Sequence, residues 1–248
     1  MTTHPSTNVI YKQSSNEWSN YSAFITALVE TFASKRVCDV GGGANPVLPL
    51  EFIIRHRIEY TLLDISAEEL AKAPQGYRKI VQDIEAENLP RKEEFDFIVT
   101  KMMAEHIRNG RRFHKNVFDL LKPGGIAVHY FPTLYALPFI VNKITPEKLS
   151  SKLLNIFAPR ERFRLGKFPA YYNWCYGPTP GMLNMLTGIG FEIVEFQGLI
   201  GHSYFDRVPF IEQIHAAYSS FLAKHPNPYL TSFAQIILRK PVKNQQNF

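Results

Sequence analysis

The chain has 248 residues, 45% of them hydrophobic and 20% charged, which suits one globular domain with a sizeable core. No apolar run approaches the roughly 20 residues of a membrane helix, and the polar opening MTTHPSTNVIYKQSSNEWSN lacks the apolar stretch of a secretory signal, so a cytoplasmic protein is expected. The two cysteines, Cys38 and Cys175, form no metal-type pair and read as reduced and structural, while a net charge of +6 suits an anionic substrate, a nucleic acid or an acidic surface as well as an ordinary basic enzyme.

No internal repeat or low-complexity tract interrupts the chain. Residues 1–15 read as irregular, opening an N-terminal segment that extends to about residue 35. From Glu17 to Ser34 apolar residues recur at helical spacing (Phe24, Leu28, Val29, Phe32), which predicts a helix. Alternation follows. RVCDVG predicts a buried strand, PVLPLEFIIRHR a helix opening at proline, EYTLLDI a second strand, and SAEELAKA a helix with Ser66 as N-cap and Glu69 as its capping-box partner. YRKIVQDI and EFDFIVT predict the third and fourth strands, AEHIRNGRRFHKNVFDLL a helix beginning at Ala104, and GIAVHYF the fifth strand. Residues 132–178, rich in proline and aromatics without a strand signal, read as an inserted lid. PGMLNMLTGIGF predicts a helix closing at glycine, EIVEFQGL a strand, residues 201–228 a helical insertion, and TSFAQIILRK a last strand that can pair antiparallel. The whole chain, 1–248, therefore predicts one α/β domain: a Rossmann-like sheet of seven strands, mostly parallel, with helices on both faces.

In such a sheet ligands bind at the carboxyl ends of the strands, where the first strand-to-helix loop lies. That loop holds Gly41, Gly42 and Gly43, which lack a Cβ and let the backbone turn sharply against a ligand. Asp64 ends the second predicted strand, placed to accept both hydroxyls of a ribose. Asp83 ends the third, and with Ile84 it can bind an exocyclic amine and cover a purine face. Asp39, inside the first strand, can orient the glycine loop. A dinucleotide site shares the glycines and Asp64, but Pro46 stands at the third glycine position, and the loop has no basic or hydroxyl group for a phosphate. A ligand with a ribose and an adenine but no phosphate fits better, and S-adenosylmethionine (SAM) is such a ligand.

The motifs VCDVGGGANP, LLDIS, QDIEAENLP, FDFIVTKMMAEHI, LLKPGGIAVHYFP and LTGIGFEIVEF, over Val37–Phe131 and Leu186–Leu238, resemble the class I SAM-dependent methyltransferases. The resemblance is to their small-molecule group, which includes the ubiquinone- and menaquinone-type ("type 11"-like) enzymes. It implies that Gly41 and Gly43 approach the methionine part of SAM, that Asp64 and the neighbouring Ile65 take the ribose side, and that Asp83 and Ile84 bracket the adenine. It further implies that Thr100, Lys101 and Met102 line the region of the sulfonium. S-adenosylhomocysteine would be the product.

Methyl transfer from a sulfonium is an in-line displacement, so the protein mainly aligns the acceptor and, for a hydroxyl, removes a proton. No Asn/Asp-Pro-Pro-Tyr motif, Pro-Cys pair or Asp-Asn pair points to amine, cytosine-C5 or magnesium-assisted chemistry. Met102 stands where some ubiquinone-type enzymes carry an acid, so no metal is expected. His106 is the candidate base, from the start of the predicted helix after the fourth strand, and His129 is a second candidate. Tyr130, Tyr171, Tyr172, Trp174 and Tyr176, with Phe168, suggest acceptor-pocket walls. Lys143–Lys167 holds seven basic residues against two acidic ones, suited to an anionic acceptor or to RNA. Three readings follow: transfer to a small molecule, anionic or aromatic, at oxygen; an RNA methyltransferase using the basic insertion; or a SAM-binding partner without turnover. A nicotinamide oxidoreductase is disfavoured by Pro46.

Overall fold

The structure, a computed structural model, describes residues 8–15, 17–134, 169–204 and 209–242. Most of the predicted insertion, including the basic segment and Phe168, lies outside the described residues.

Eight strands form one sheet: β1 (Val9–Gln13), β2 (Arg36–Val40), β3 (Glu59–Asp64), β4 (Arg78–Val81), β5 (Phe95–Lys101), β6 (Leu121–Pro132), β7 (Glu192–Ile200) and β8 (Phe233–Arg239). Their spatial order is β1-β7-β8-β6-β5-β2-β3-β4. All pairings are parallel except those of β8, which runs antiparallel to both β6 and β7. The central strands read as continuous apolar runs because helices cover both faces; β2 is buried from Val37 to Val40. The strand order reverses between β2 and β5, and the loops leaving their carboxyl ends open a crevice there.

β1 adds an eighth strand where an irregular segment was expected. Its residues pair in register with β7, Val9 beside Phe196 through Gln13 beside Ile200. Helix α1 (Glu17–Thr31) follows, and the Glu17 carboxylate accepts the Ser15 N–H at 2.7 Å. The most buried stripe of α1 is Tyr21, Ile25 and Val29, with Phe24, Leu28 and Phe32 packed beside it, one helical face round from the predicted one. Tyr21 fixes α1 to the sheet by donating its hydroxyl to the Thr100 carbonyl at 2.9 Å and by packing 5.4 Å from the Tyr130 ring.

The remaining helices are α2 (Leu50–His56), α3 (Ala67–Lys72), α4 (Gly110–Leu120), α5 (Pro180–Ile189) and α6 (Pro209–Lys224). Ser66 caps α3 by accepting the Glu69 N–H, but its own N–H goes to Asp64 rather than to Glu69, so half of the expected capping box forms. The helix predicted from Ala104 divides: a 3₁₀ turn spans Ala104–His106, and α4 starts afresh at Gly110 with Asn109 as its cap. Cys38 and Cys175 are both buried. None of the described helices is long and apolar enough to cross a membrane.

Candidate active site

A cleft of about 600 Å³ lies over the carboxyl ends of β2, β3 and β5. Its walls include Asp39, the glycine loop, Asp64, Lys101, Met102 and, from α1, Trp18. The three glycines are needed for different reasons. A Cβ on Gly41 would lie 2.3 Å from Met103 Cγ, and one on Gly42 would lie 2.7 Å from the Asp39 carboxylate. Gly43, at φ +41°, passes beside Asp64 Oδ2. The loop therefore folds tightly enough for two acids and the 3₁₀ segment to converge on it.

Asp39 is fully buried. Its Oδ2 accepts the Tyr60 hydroxyl at 2.5 Å and the Val47 N–H at 2.8 Å, so it anchors the far end of the glycine loop rather than the glycines themselves. Its Oδ1 has no hydrogen-bond partner among the described residues. Burial raises the carboxyl to about 6 against the opposing pull of those hydrogen bonds. Asp64 Oδ1 accepts the Ser66 N–H at 2.8 Å, and burial lifts its carboxyl above the ordinary range, with the Glu69 charge adding to the rise. Asp39, Asp64 and Glu69 face one described cation, Lys101, across the cleft. That balance opposes a pyrophosphate and suits a ligand bearing positive charge. The acid beside Gly43 is placed to accept hydroxyls from a ligand in the cleft.

Met102 closes one side of the cleft in the left-handed region, at φ +52°, a conformation that disfavours non-glycine residues by about 1 kcal/mol or more. Its N–H is held by the Tyr130 carbonyl at 2.7 Å. Lys101 Nζ donates to the Trp18 carbonyl at 3.0 Å and sits 4.2 Å from the centre of the Trp18 ring. This fastens the start of α1 over the cleft.

Several predicted site residues stand elsewhere. Ile65 is exposed beyond Asp64, Asp83 is exposed in the turn after β4 with its Oδ1 accepting the Glu85 N–H, and Ile84 is buried under that turn, its carbonyl held by Asn116. None of the three lines this cleft. Thr100 is buried beneath it, its hydroxyl against His129 Nδ1 at 2.9 Å. His129 itself is a core residue, fully buried between Phe113 and His114, with burial lowering its ring to about 3; it reaches neither cavity, so it is not retained as a base. His106 lies in the 3₁₀ turn with Nδ1 bonded to the Pro169 carbonyl at 3.0 Å, which places the neutral ring's proton on Nδ1 and turns Nε2 toward Glu105 Oε1, 3.9 Å away. It also lines neither cavity.

The described aromatics of the insertion join the main core: Tyr172 is part of it, and Trp174 and Tyr176 pack against it. The Tyr171 and Tyr172 N–H groups donate to the Glu105 carbonyl, the Tyr171 hydroxyl accepts from Arg108, Tyr172 is buried, and Trp174 packs edge-on to Tyr176. These four do not line the second cavity; Tyr130 does.

That second cavity, about 580 Å³, adjoins the first, and Trp18 and Met102 belong to both. Tyr130 and Phe233 line it from β6 and β8, and its other walls come from segments without any motif: Gln13–Ser15 after β1, Gly201–Tyr204 after β7, and Glu212, His215, Ala216 and Ser219 along α6. The i, i+3, i+4, i+7 spacing of the last four was the one available signal, since it puts them on one helical face.

A family model described as a methyltransferase domain matches residues 15–195. None of the curated proteins matches the sequence. Among solved structures, a SAM-dependent methyltransferase from Mesorhizobium loti is 17% identical, with 91% of this chain and 98% of that chain covered at a TM-score of 0.52. One from Clostridium acetobutylicum is 15% identical, with 90% and 92% covered and a TM-score of 0.52. Phosphoethanolamine N-methyltransferase 2 from Haemonchus contortus, in complex with SAM, is 15% identical, with 90% and 53% covered and a TM-score of 0.53. At these identities the likeness is one of fold.

Proposed function

Since the chain belongs to the methyltransferase-domain family and is a class I SAM-dependent methyltransferase, we propose that it methylates an oxygen of a small molecule seated in the second cavity. The observation that carries this reading is the shared wall: Trp18 and Met102 face both cavities, so a donor in one and an acceptor in the other meet there. SAM supplies a methyl group already activated by its positively charged sulfur.

The protein's own part is alignment and proton removal. Asp64 would bind the ribose. The glycine loop would hold the amino-acid end, with the buried Asp39 anchoring the loop and supplying negative charge behind it. Asp83 and Ile84 remain the proposed adenine contacts, and Ile65 the proposed cofactor neighbour of Asp64. On the acceptor side, His215 and Glu212 are the groups able to take a hydroxyl proton.

Calorimetry with SAM, S-adenosylhomocysteine and NAD tests the donor side: SAM should bind, and Asp64→Ala should weaken it at least tenfold, the loss expected for a hydrogen bond to a charged group. Binding of NAD alone would sink the proposal. Consumption of labelled SAM against pools of hydroxylated metabolites, amines and RNA then identifies the acceptor class.

A further inference from the structure

The second cavity contains a polar group that the fold leaves unused. Ser219, on α6, is only 3% exposed, and its Oγ has no hydrogen-bond partner among the described residues, although the side chain lines the cavity. A buried hydroxyl without a partner is destabilising by about 1–3 kcal/mol unless a ligand or water satisfies it. Gly201, at φ +94°, passes close beside it: a Cβ there would sit 3.3 Å from Ser219 Oγ.

The walls around this hydroxyl favour a flat body. Tyr130 stacks on Phe233 at 5.7 Å and lies 6.5 Å from Trp18, while His202 stacks on His215 at 4.0 Å. They also disfavour charge of either sign. Burial, then the neighbouring His215, lowers the His202 ring to about 3, so this wall resists a positive charge. Burial raises the Tyr130 hydroxyl well above its ordinary range, and the carboxylates of Glu17 and Glu105 add to the rise, so that wall resists a negative one. Glu212, the one carboxylate among the described lining residues, opposes an anion as well.

We propose that this chamber binds an uncharged, flat, hydroxyl-bearing molecule anchored by a hydrogen bond to Ser219 Oγ. The inference rests on reading the chamber as the acceptor side of the proposed transferase, and it excludes the phosphate or carboxylate acceptors that the chain's basic charge suggests. Ser219 acts in binding; a hydroxyl can both give and accept, so it satisfies the serine whichever way its proton points.

The test is ligand-observed NMR on the full chain with three probe sets: phenol and benzyl alcohol, benzoate and phenyl phosphate, and benzylamine. The hydroxylated pair should bind. Ser219→Val should weaken that binding about fivefold or more, the effect of losing one neutral hydrogen bond, and Ala216→Trp, which fills the chamber from a half-buried position of α6, should abolish it. Circular dichroism and thermal melts confirm that both variants fold. Failure of the hydroxylated pair to bind, preference for the anions or the amine, or indifference to both substitutions overturns the proposal. SAM calorimetry on the same samples is a separate readout: a wild-type chain that takes the hydroxylated probes but no SAM would overturn the transferase reading and leave the chamber's chemistry standing.

Discussion

Replacing Glu105 by glutamine should change the pH dependence of stability in a way that few surface changes can. Glu105 is 5% exposed in the 3₁₀ turn after β5, its Oε2 has no hydrogen-bond partner among the described residues, and burial raises its carboxyl from 4.5 to about 8. The folded protein therefore binds this proton more tightly than the unfolded chain does. The stability it confers is complete below pH 4.5, declines as pH rises, and is gone above about pH 8. Across that interval the decline is about 1.4 kcal/mol per pH unit, roughly 5 kcal/mol in all. Glutamine keeps the shape of the protonated acid and does not titrate. Urea unfolding of wild type and Glu105→Gln from pH 4 to pH 10 should give a difference that moves steadily in favour of the variant up to about pH 8 and then levels off. Asp39, raised to about 6, also makes the native protein lose stability as pH rises, but it is present in both proteins and cancels in the difference. A difference that stays flat between pH 5 and pH 8 would falsify the assignment of a buried, neutral Glu105.

The glycine loop and its acid give further tests. Gly42→Ala would place a Cβ 2.7 Å from the Asp39 carboxylate, which is itself held by Tyr60 and Val47; a loss of about 1–3 kcal/mol in urea unfolding, with weakened SAM binding, is expected from such overpacking. Tyr60→Phe removes the shortest bond to Asp39 Oδ2 and should cost about 1–3 kcal/mol. It should also raise the Asp39 carboxyl further, so that SAM affinity, measured by calorimetry, begins to fall at a higher pH than in wild type. Trp18→Ala should leave stability within about 1 kcal/mol of wild type, since the ring is 54% exposed and mainly engages Lys101. The same change should weaken both SAM and hydroxylated-probe binding; an effect on one ligand alone would refute the shared wall.

Much of the sheet was legible because its strands carry their own signal. Val37 to Val40, Tyr60 to Leu63 and Phe97 to Thr100 are mainly apolar runs, the first holding one acid, ended by glycine, acid or lysine, and such a run between turns reads as a strand buried on both faces. The glycine loop was legible for a related reason, since three residues without a Cβ mark a backbone that comes close to something. The phase of α1 was less so. Its sequence is apolar around much of the helix, and only the sheet decides that Tyr21 rather than Phe24 points inward. The setting of the candidate base His106 was not legible: a continuous helix is expected from Ala104, but Asn109 caps a new helix, and the Ala104–His106 turn is held to the Pro169 carbonyl.

The missed strand and the missed chamber have one cause. β1 is a five-residue edge strand with two exposed residues, so the segment lacks the apolar run that identifies its neighbours, and its order comes from the ladder to β7. That ladder runs parallel, with Gln13 beside Ile200 and the Ser14 N–H donating to the Ile200 carbonyl at 2.7 Å. Two chain ends that are far apart in sequence therefore leave the sheet side by side. One leads through Ser14 and Ser15 to Trp18, and the other through Gly201 and His202 to α6. Each wall is unremarkable alone, a polar N-terminus and a short loop before a helix. Motifs of the cofactor side survive as short local patterns because a single loop makes them, whereas an acceptor chamber assembled across a parallel edge ladder has no local pattern to leave. On this reasoning, removing β1 by deleting the residues up to Gln13 should remove hydroxylated-probe binding while SAM calorimetry still reports the cleft. Loss of both together would show that the two sites fold as one unit and would contradict the separation drawn between them.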